Sequence, residues 1–165
     1  MNKYDNSQVR RQDRLLDEER AEKLLAEAEY GILSMVEQRD GKTAGYGIPI
    51  NFIWDGGTTV YIHCAPDGHK LKCLDSCAEV SLTVVGRTNV VPNKFTTGYE
   101  SIVVRGRIER GLPAEERHHA LELLLDKFSP NDKAVGLKYA EKSFYRTEIL
   151  KLHIQSISGK AKHVQ

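Results

Sequence analysis

An excess of either charge is missing from this 165-residue chain, in which 24 lysines and arginines meet 23 aspartates and glutamates for a net charge of +1. That balance excludes a general electrostatic attraction to nucleic acid or to an anionic membrane, so any anion site must be local. Long apolar runs are missing too. None approaches the roughly 18 residues of a membrane span, and the opening "MNKYDNSQVRRQDRLLDEER" has no apolar signal-peptide core. Cysteine is scarce and odd in number, at 3, which argues against a disulfide framework and suits a reducing compartment. The expectation is a cytoplasmic protein. No repeat or low-complexity tract interrupts the chain, and G-x-G-x-x-G is absent, which removes dinucleotide binding by that route. What remains, 40% apolar and 28% charged residues, is the composition of an ordinary domain with a full core.

Residues 1–15 are polar and read as an arm, mobile or draped over a partner; the domain proper is expected over 16–162. A helix starts near Asp17, a natural cap, with Ala21, Leu24, Leu25 and Ala28 on one face and Gly31 where a terminating glycine belongs. From there the period shortens to two. "GILSMVE", "GYGIPINFIW", "TTVYIHC", "AEVSLTVVG" and "SIVVRGRIER" are β-branched, aromatic-rich segments bounded by turn chemistry, with hairpin signals at Asp40-Gly41 and Asp55-Gly56-Gly57. Pro49 marks an edge or an interruption. Arg87–Gly98 reads as a long connection. A helix follows Pro113 with Leu121, Leu124, Leu125 and Phe128 as its buried stripe, a shorter helix follows Asp132, and "RTEILKLHIQSISGK" is a final strand alternating Ile149, Leu152, Ile154 and Ile157. Short antiparallel strands with helices at a few insertions predict a small, mainly β barrel rather than a doubly wound sheet.

One stretch, "HCAPDGHKLKCL", carries an unusual charge. The first turn of a helix is partly positive and favours acids, yet here it offers His69 and Lys70. With Asp67 as cap, the free N–H groups of Gly68, His69 and Lys70 together with the Lys70 ammonium would suit a phosphate, and Gly68 permits close approach. The alternative is a lysine that simply points to water. Cys73 and Cys77 share a helix face, and a zinc site there is weighed against cysteines that merely pack; packing is preferred and no metal is expected. His118 and His119 read as structural, Trp54 and Tyr61 as core or subunit contacts, and Arg10, Arg11 and Arg14 as a solvated cluster.

"YGILSMV", "GYGIPINFIWDGGTTVYIHCAPDGHKLKCL" and "NKFTTGYESIVVRGRIERG" resemble the pyridoxamine 5′-phosphate oxidase-like, FMN-binding split-barrel flavoproteins, and in particular the branch of nitroimidazole-resistance proteins. The arm "VRRQDR", the "KFSPND" turn and the closing "ISGKA" fit the same branch, so the likeness spans roughly residues 8–162. It implies an antiparallel six-stranded split barrel and a homodimer with FMN at the interface. By resemblance, the flavin phosphate lies at Gly68, His69 and Lys70; Gly47, Ile48, Pro49, Ile50 and Asn51 line the isoalloxazine; Ile62, His63, Thr96, Thr97 and Ser101 also contact the cofactor. His63 is the expected catalytic or substrate-orienting group. The implied activity is electron transfer from NAD(P)H to a small nitro-aromatic or quinone-type acceptor. A non-catalytic flavin- or haem-binding protein, a cofactor-free interaction module and pyridoxamine 5′-phosphate oxidase-like activity stand as alternatives. The last is disfavoured by departures from the oxidases: Tyr46 and Asn51 stand where they carry arginine and lysine, His69-Lys70 replaces an Arg-Lys pair, and the arginine-rich C-terminal segment is missing.

Overall fold

The structure, a computed structural model, describes residues 3–164. Period-two burial builds the barrel. β1 (Tyr30–Arg39), β2 (Lys42–Asn51), β3 (Ile53–Trp54), β4 (Thr59–Cys64), β5 (Glu79–Val91), β6 (Thr96–Glu109) and β7 (Glu148–Lys162) form one antiparallel sheet in the order β2-β1-β5-β6-β7-β4-β3. Leu33 and Met35, Leu82 and Val84, Ile102 and Val104, Val60 and Ile62, and Leu150 and Leu152 point inward from five of these strands into one core.

β2 and β3 stand at opposite ends of that order, yet only Phe52 separates them in sequence. The sheet must therefore curl until its two edges meet at Phe52, whose side chain is fully buried. The single expected strand "GYGIPINFIW" is thus two, and the expected six strands become seven. Pro49 lies in an edge strand, paired on one side only with β1, where its missing N–H costs no ladder bond.

α1 (Glu18–Glu27) begins as read, with the Asp17 carboxylate accepting from the Arg20 N–H. It stops at Ala28 instead of running on to Gly31. Gly31 belongs to β1, where a Cβ would lie 2.8 Å from Leu82 Cδ1, so its glycine serves the close approach of β1 to β5 rather than a helix end. The segment 87–98 is not a loose connection. Beyond a bulge between Val85 and Thr88, β5 continues to Val91, pairing Val90 with Thr97 and Val91 with Thr96, and a tight turn at Pro92–Lys94 closes the hairpin. Its polar sequence concealed a strand whose faces are both largely exposed. The β6–β7 ladder slips between Arg105 and Gly106 of β6, which pair with Ser156 and Ile154. β7 therefore carries one extra residue there, which accounts for the three-residue step from Ile154 to Ile157.

Residues 3–16 lie along the chain's own β7: Ile157 N–H donates to Lys3 O and Asp5 N–H to Ile157 O, each at 2.8 Å, and Tyr4 Oη donates to Leu16 O at 2.6 Å. α3 (Ala114–Phe128) buries Ala120 against Tyr61, Leu112 and Ile149 on the outer face of the sheet and buries Leu124 as well, while Phe128, at the helix end, is exposed. α4 (Lys133–Ser143) packs on α3. No helix among the described residues is long and apolar enough to cross a membrane.

One buried carboxylate ties α1 to the barrel. Glu100 on β6 accepts Arg20 Nε at 2.9 Å and the Arg87 N–H at 3.1 Å, and the Arg20 hydrogen bond is the main cause that pulls its pKa from 4.5 to about 2. The unfolded chain therefore takes up this proton more readily than the folded one. The stabilisation is complete above pH 4.5 and is lost as pH falls towards about 2. Melting temperature measured against pH should decline across that window, and Glu100→Gln should flatten this part of the decline. An unchanged slope in the variant would remove Glu100 from the acid response.

Candidate functional site

β4 ends at Cys64 and α2 (His69–Ser76) begins after a turn at 65–68. Asp67 does not cap the helix. The cap position falls on Gly68, with φ at 127°, a conformation that side-chain-bearing residues avoid. Gly68 O accepts from Leu71 and Lys72 at 3.2 and 3.4 Å. The N–H groups of His69 and Lys70, at the first two helical positions, have no acceptor inside the helix. Nothing lies within 4 Å of where a Gly68 Cβ would stand, so the turn is open to an approaching ligand. Leu71, Cys73 and Leu74 anchor α2 to the core, and Ala78 is half-buried beyond the helix.

Lys70 is half-buried and folds back towards the end of β4. Its charge acts on both the Cys64 thiol and the His63 ring, lowering the pKa of each. Burial raises the Cys64 pKa more than Lys70 lowers it. His63 has an exposed edge, but its ring stands among enough protein atoms that desolvation is the first cause lowering its pKa, with the Lys70 charge second. Both act in one direction and hold the imidazole neutral at pH 7.

His69 is turned elsewhere. Its Nε2 is 2.7 Å from Glu37 Oε2 on β1, and its ring meets Tyr46 edge-on at 4.7 Å. An anion at the helix start would meet the His69 backbone N–H rather than its imidazole. Glu37 was not singled out from the sequence, although the signal is there: Leu33, Met35 and Glu37 occupy successive inward positions, and a carboxylate in that register is 7% exposed.

On β2, Gly47, Pro49 and Asn51 face outward, whereas Ile48 and Ile50 pack on the core, so a ligand on the outer surface meets those two through their backbone. Asn51 Nδ2 donates to Glu29 O at 2.8 Å. Ile62 points inward and is fully buried, opposite to His63. Thr96 accepts from Lys162 Nζ, Thr97 is exposed opposite Val90, and Ser101 pairs with Val85 and Lys160.

The structure gathers His63, Gly68, His69 and Lys70 at one end of β4, with Tyr46 of β2 beside His69. It does not bring Thr96, Thr97 and Ser101 to them. His63 is paired with Ile149 and Ser101 with Lys160, near opposite ends of β7. At about 3.3 Å per residue these positions are roughly 36 Å apart along the strand. Near the second group is a cleft of about 490 Å³ lined by Arg87, Asn89, Tyr99, Lys162 and His163, which contains no residue of the first group. The sequence reading missed it because its walls come from the bulged hairpin and the chain's end.

The remaining candidates make contacts within the chain. His118 stacks on Phe144 at 4.2 Å, and His119 stands edge-on to Tyr61. Tyr61 Oη donates to Glu116 Oε1 at 2.9 Å, beneath α3, and Trp54 Nε1 donates to Gly57 O at 2.9 Å across its own hairpin.

Residues 17–161 match the family model described as pyridoxamine 5′-phosphate oxidase. No curated protein sequence matches the chain. Among solved structures, a candidate 5-nitroimidazole antibiotic resistance protein from Bacteroides thetaiotaomicron is 22% identical, with a TM-score of 0.73 over 89% of this chain and 85% of that one. An FAD-binding protein from Mesorhizobium loti is 22% identical, with a TM-score of 0.62 over 91% and 98%. An FAD and heme binding protein from Mycobacterium smegmatis is 23% identical, with a TM-score of 0.69 over 90% and 72%. These likenesses establish a shared fold, the split barrel. The family match, which covers most of the sequence, establishes more: the chain belongs to the pyridoxamine 5′-phosphate oxidase family.

Proposed function

We propose that this chain is a flavin-dependent reductase that holds FMN by its phosphate at the Gly68–Lys70 turn. The observation that carries the reading is Lys70, a half-buried cation beside two helix-start N–H groups that have no acceptor in the helix. That arrangement attracts a compact anion, and the family and the flavin-binding proteins that share the fold make a flavin phosphate the best candidate. The separation of His63–Lys70 from Thr96–Ser101 supports a homodimer, because one flavin touching both groups must bridge two copies.

When bound, FMN would supply hydride acceptance from NAD(P)H and electron delivery to a nitro-aromatic or quinone-type acceptor. The chain's own part is to position. Lys70 and the turn anchor the phosphate, the outward backbone of Gly47–Asn51 gives a flat wall without bulky side chains at Gly47, and neutral His63 orients the acceptor by donating one N–H. With its pKa held down, His63 is better suited to hydrogen bonding and to accepting a proton than to donating one from a standing imidazolium.

Thermal shift with FMN, FAD and riboflavin tests the reading. FMN at about 100 times its Kd should stabilise the protein by about 2.7 kcal/mol, the flavin absorbance should bleach anaerobically with NADH or NADPH, and riboflavin at the same concentration should do far less. Equal stabilisation by riboflavin rejects the phosphate anchor. Preference for FAD rejects FMN as the form bound, and a Soret band with no flavin response favours the haem-binding alternative. With FMN occupancy held full, His63→Ala should slow acceptor reduction about 100-fold; a wild-type rate removes His63 from the chemistry.

A further inference from the structure

The carboxylate under α2 is a second feature that the flavin reading does not use. Glu37 is buried on β1, and a buried carboxylate requires compensation by positive charge or hydrogen bonds. Its partners are the His69 imidazole at 2.7 Å and Arg39, whose guanidinium is mostly solvated, at 3.6 Å. Beside them lies Cys73, 3% exposed and one helical turn after His69, so that both side chains project from the same face of α2. The potential ligand atoms of Glu37, His69 and Cys73 all lie within 4.8 Å of one another.

We propose that Glu37, His69 and Cys73 form a divalent-metal site of the zinc type, with a fourth position open to water or a small anion. The donor set is one carboxylate oxygen, one imidazole nitrogen and one thiolate, each within the zinc repertoire, and three protein ligands with an open position is the pattern of an exchangeable rather than a sealed site. Soft thiolate with imidazole favours Zn²⁺ over Mg²⁺ or Ca²⁺. Tetrahedral Zn²⁺ places such donors about 3.4–3.6 Å apart, so the 2.7 Å Glu37–His69 hydrogen bond must open by about 0.7 Å. The half-exposed His69 ring is free to supply that movement. On binding, the Cys73 thiol releases its proton to solvent, and the His69 ring carries its N–H at Nδ1, with any proton on Nε2 released to solvent so that this nitrogen's lone pair faces the metal. The metal's charge then compensates Glu37. In sequence the thiol on the same helix face as Cys73 is Cys77, a pair that reads as packing. Cys77 stands at the end of α2 with its Sγ 4.0 Å from Glu79 O, and the partner that completes the group is on β1, 32 positions before His69.

The site shares His69 with the flavin reading, but through its ring rather than the backbone N–H given to the phosphate, and Glu37 and Cys73 are not among the residues assigned to FMN. The test uses the full chain after chelator treatment, both flavin-free and FMN-saturated, titrated with Co²⁺ and with Zn²⁺. Stoichiometric Co²⁺ should give the d–d bands of tetrahedral coordination and a thiolate charge-transfer band, and Zn²⁺ should displace it. Cys73→Ser should remove the charge-transfer band. Glu37→Gln, isosteric and the safer variant for folding, should weaken Zn²⁺ by about 100-fold or more, since even supporting groups around a metal contribute 10–100-fold. Cys77→Ser should leave binding unchanged. No Zn²⁺ binding by the wild-type protein, wild-type affinity in Glu37→Gln, or loss of the charge-transfer band in Cys77→Ser would each overturn the assignment.

Discussion

Lys70→Ala is expected to weaken FMN binding by roughly 1.5–3 kcal/mol, the range for a hydrogen bond to a charged group, or about 10- to 150-fold in Kd. The magnitude rests on geometry. His69 has turned its ring to Glu37, so Lys70 is the one side-chain cation of the turn left to meet the phosphate, and its removal leaves only backbone N–H groups and the short helix's dipole. Riboflavin affinity should not change, which separates loss of the anchor from damage to the ring site. A second readout is independent of any ligand. The Lys70 charge contributes to the lowered His63 pKa, so the alanine variant should show an upward shift of the His63 titration by NMR. An upward His63 shift with wild-type FMN affinity at moderate salt would mean that Lys70 serves the Cys64–His63 corner and that the phosphate lies elsewhere.

Much of the barrel is legible in the chain because its two periods are clean. Ala21, Leu24 and Leu25 recur at helical spacing, Leu33 and Met35 alternate, and each set is buried where its period places it. The pattern fails where backbone geometry departs from an ideal ladder. The bulge between Val85 and Thr88 re-aims β5, so that its outer half carries asparagine and exposed valines and looks like a loop. The slip between Arg105 and Gly106 breaks the alternation of β7. Closure at Phe52 cannot be read locally at all, because it depends on which strands become neighbours.

The site divides in the same way. Its strand-to-helix turn is contiguous in sequence, and the mismatch of His69 and Lys70 with a helix start was visible there. Glu37 reaches α2 from another strand, and the cleft by Lys162 is assembled from three separate segments. Long-range pairing supplies these, and a single sequence carries no record of it.

Phe52→Ala is expected to destabilise the protein by about 3–5 kcal/mol, the range for truncating a buried phenylalanine. For a chain of this size that lowers the melting temperature by roughly 6–20 °C, at about 2–4 °C per kcal/mol. The reason for choosing this position over other core residues is topological. Phe52 is fully buried and is the one residue between β2 and β3, the two ends of the sheet. It also gathers α3: Lys127 Nζ donates to Ala28 O at 2.6 Å and to Phe52 O at 3.3 Å, with the ammonium 4.8 Å from the Phe52 ring centre. Burial lowers the Lys127 pKa, in keeping with a cation that has exchanged part of its water for those carbonyls and the ring. Losing the ring opens a cavity at the seam and removes the surface against which Lys127 is desolvated, so relaxation cannot readily fill the space. Phe95→Ala provides the contrast. That ring is 96% exposed at the tip of the β5–β6 hairpin, and its removal should stay within about 0.5 kcal/mol of wild type. Melting at fixed protein and flavin concentration keeps mass action out of the comparison. If Phe52→Ala melts within about 2 °C of wild type, less than 1 kcal/mol by the same scale, Phe52 does not close the barrel and the seam must be held elsewhere.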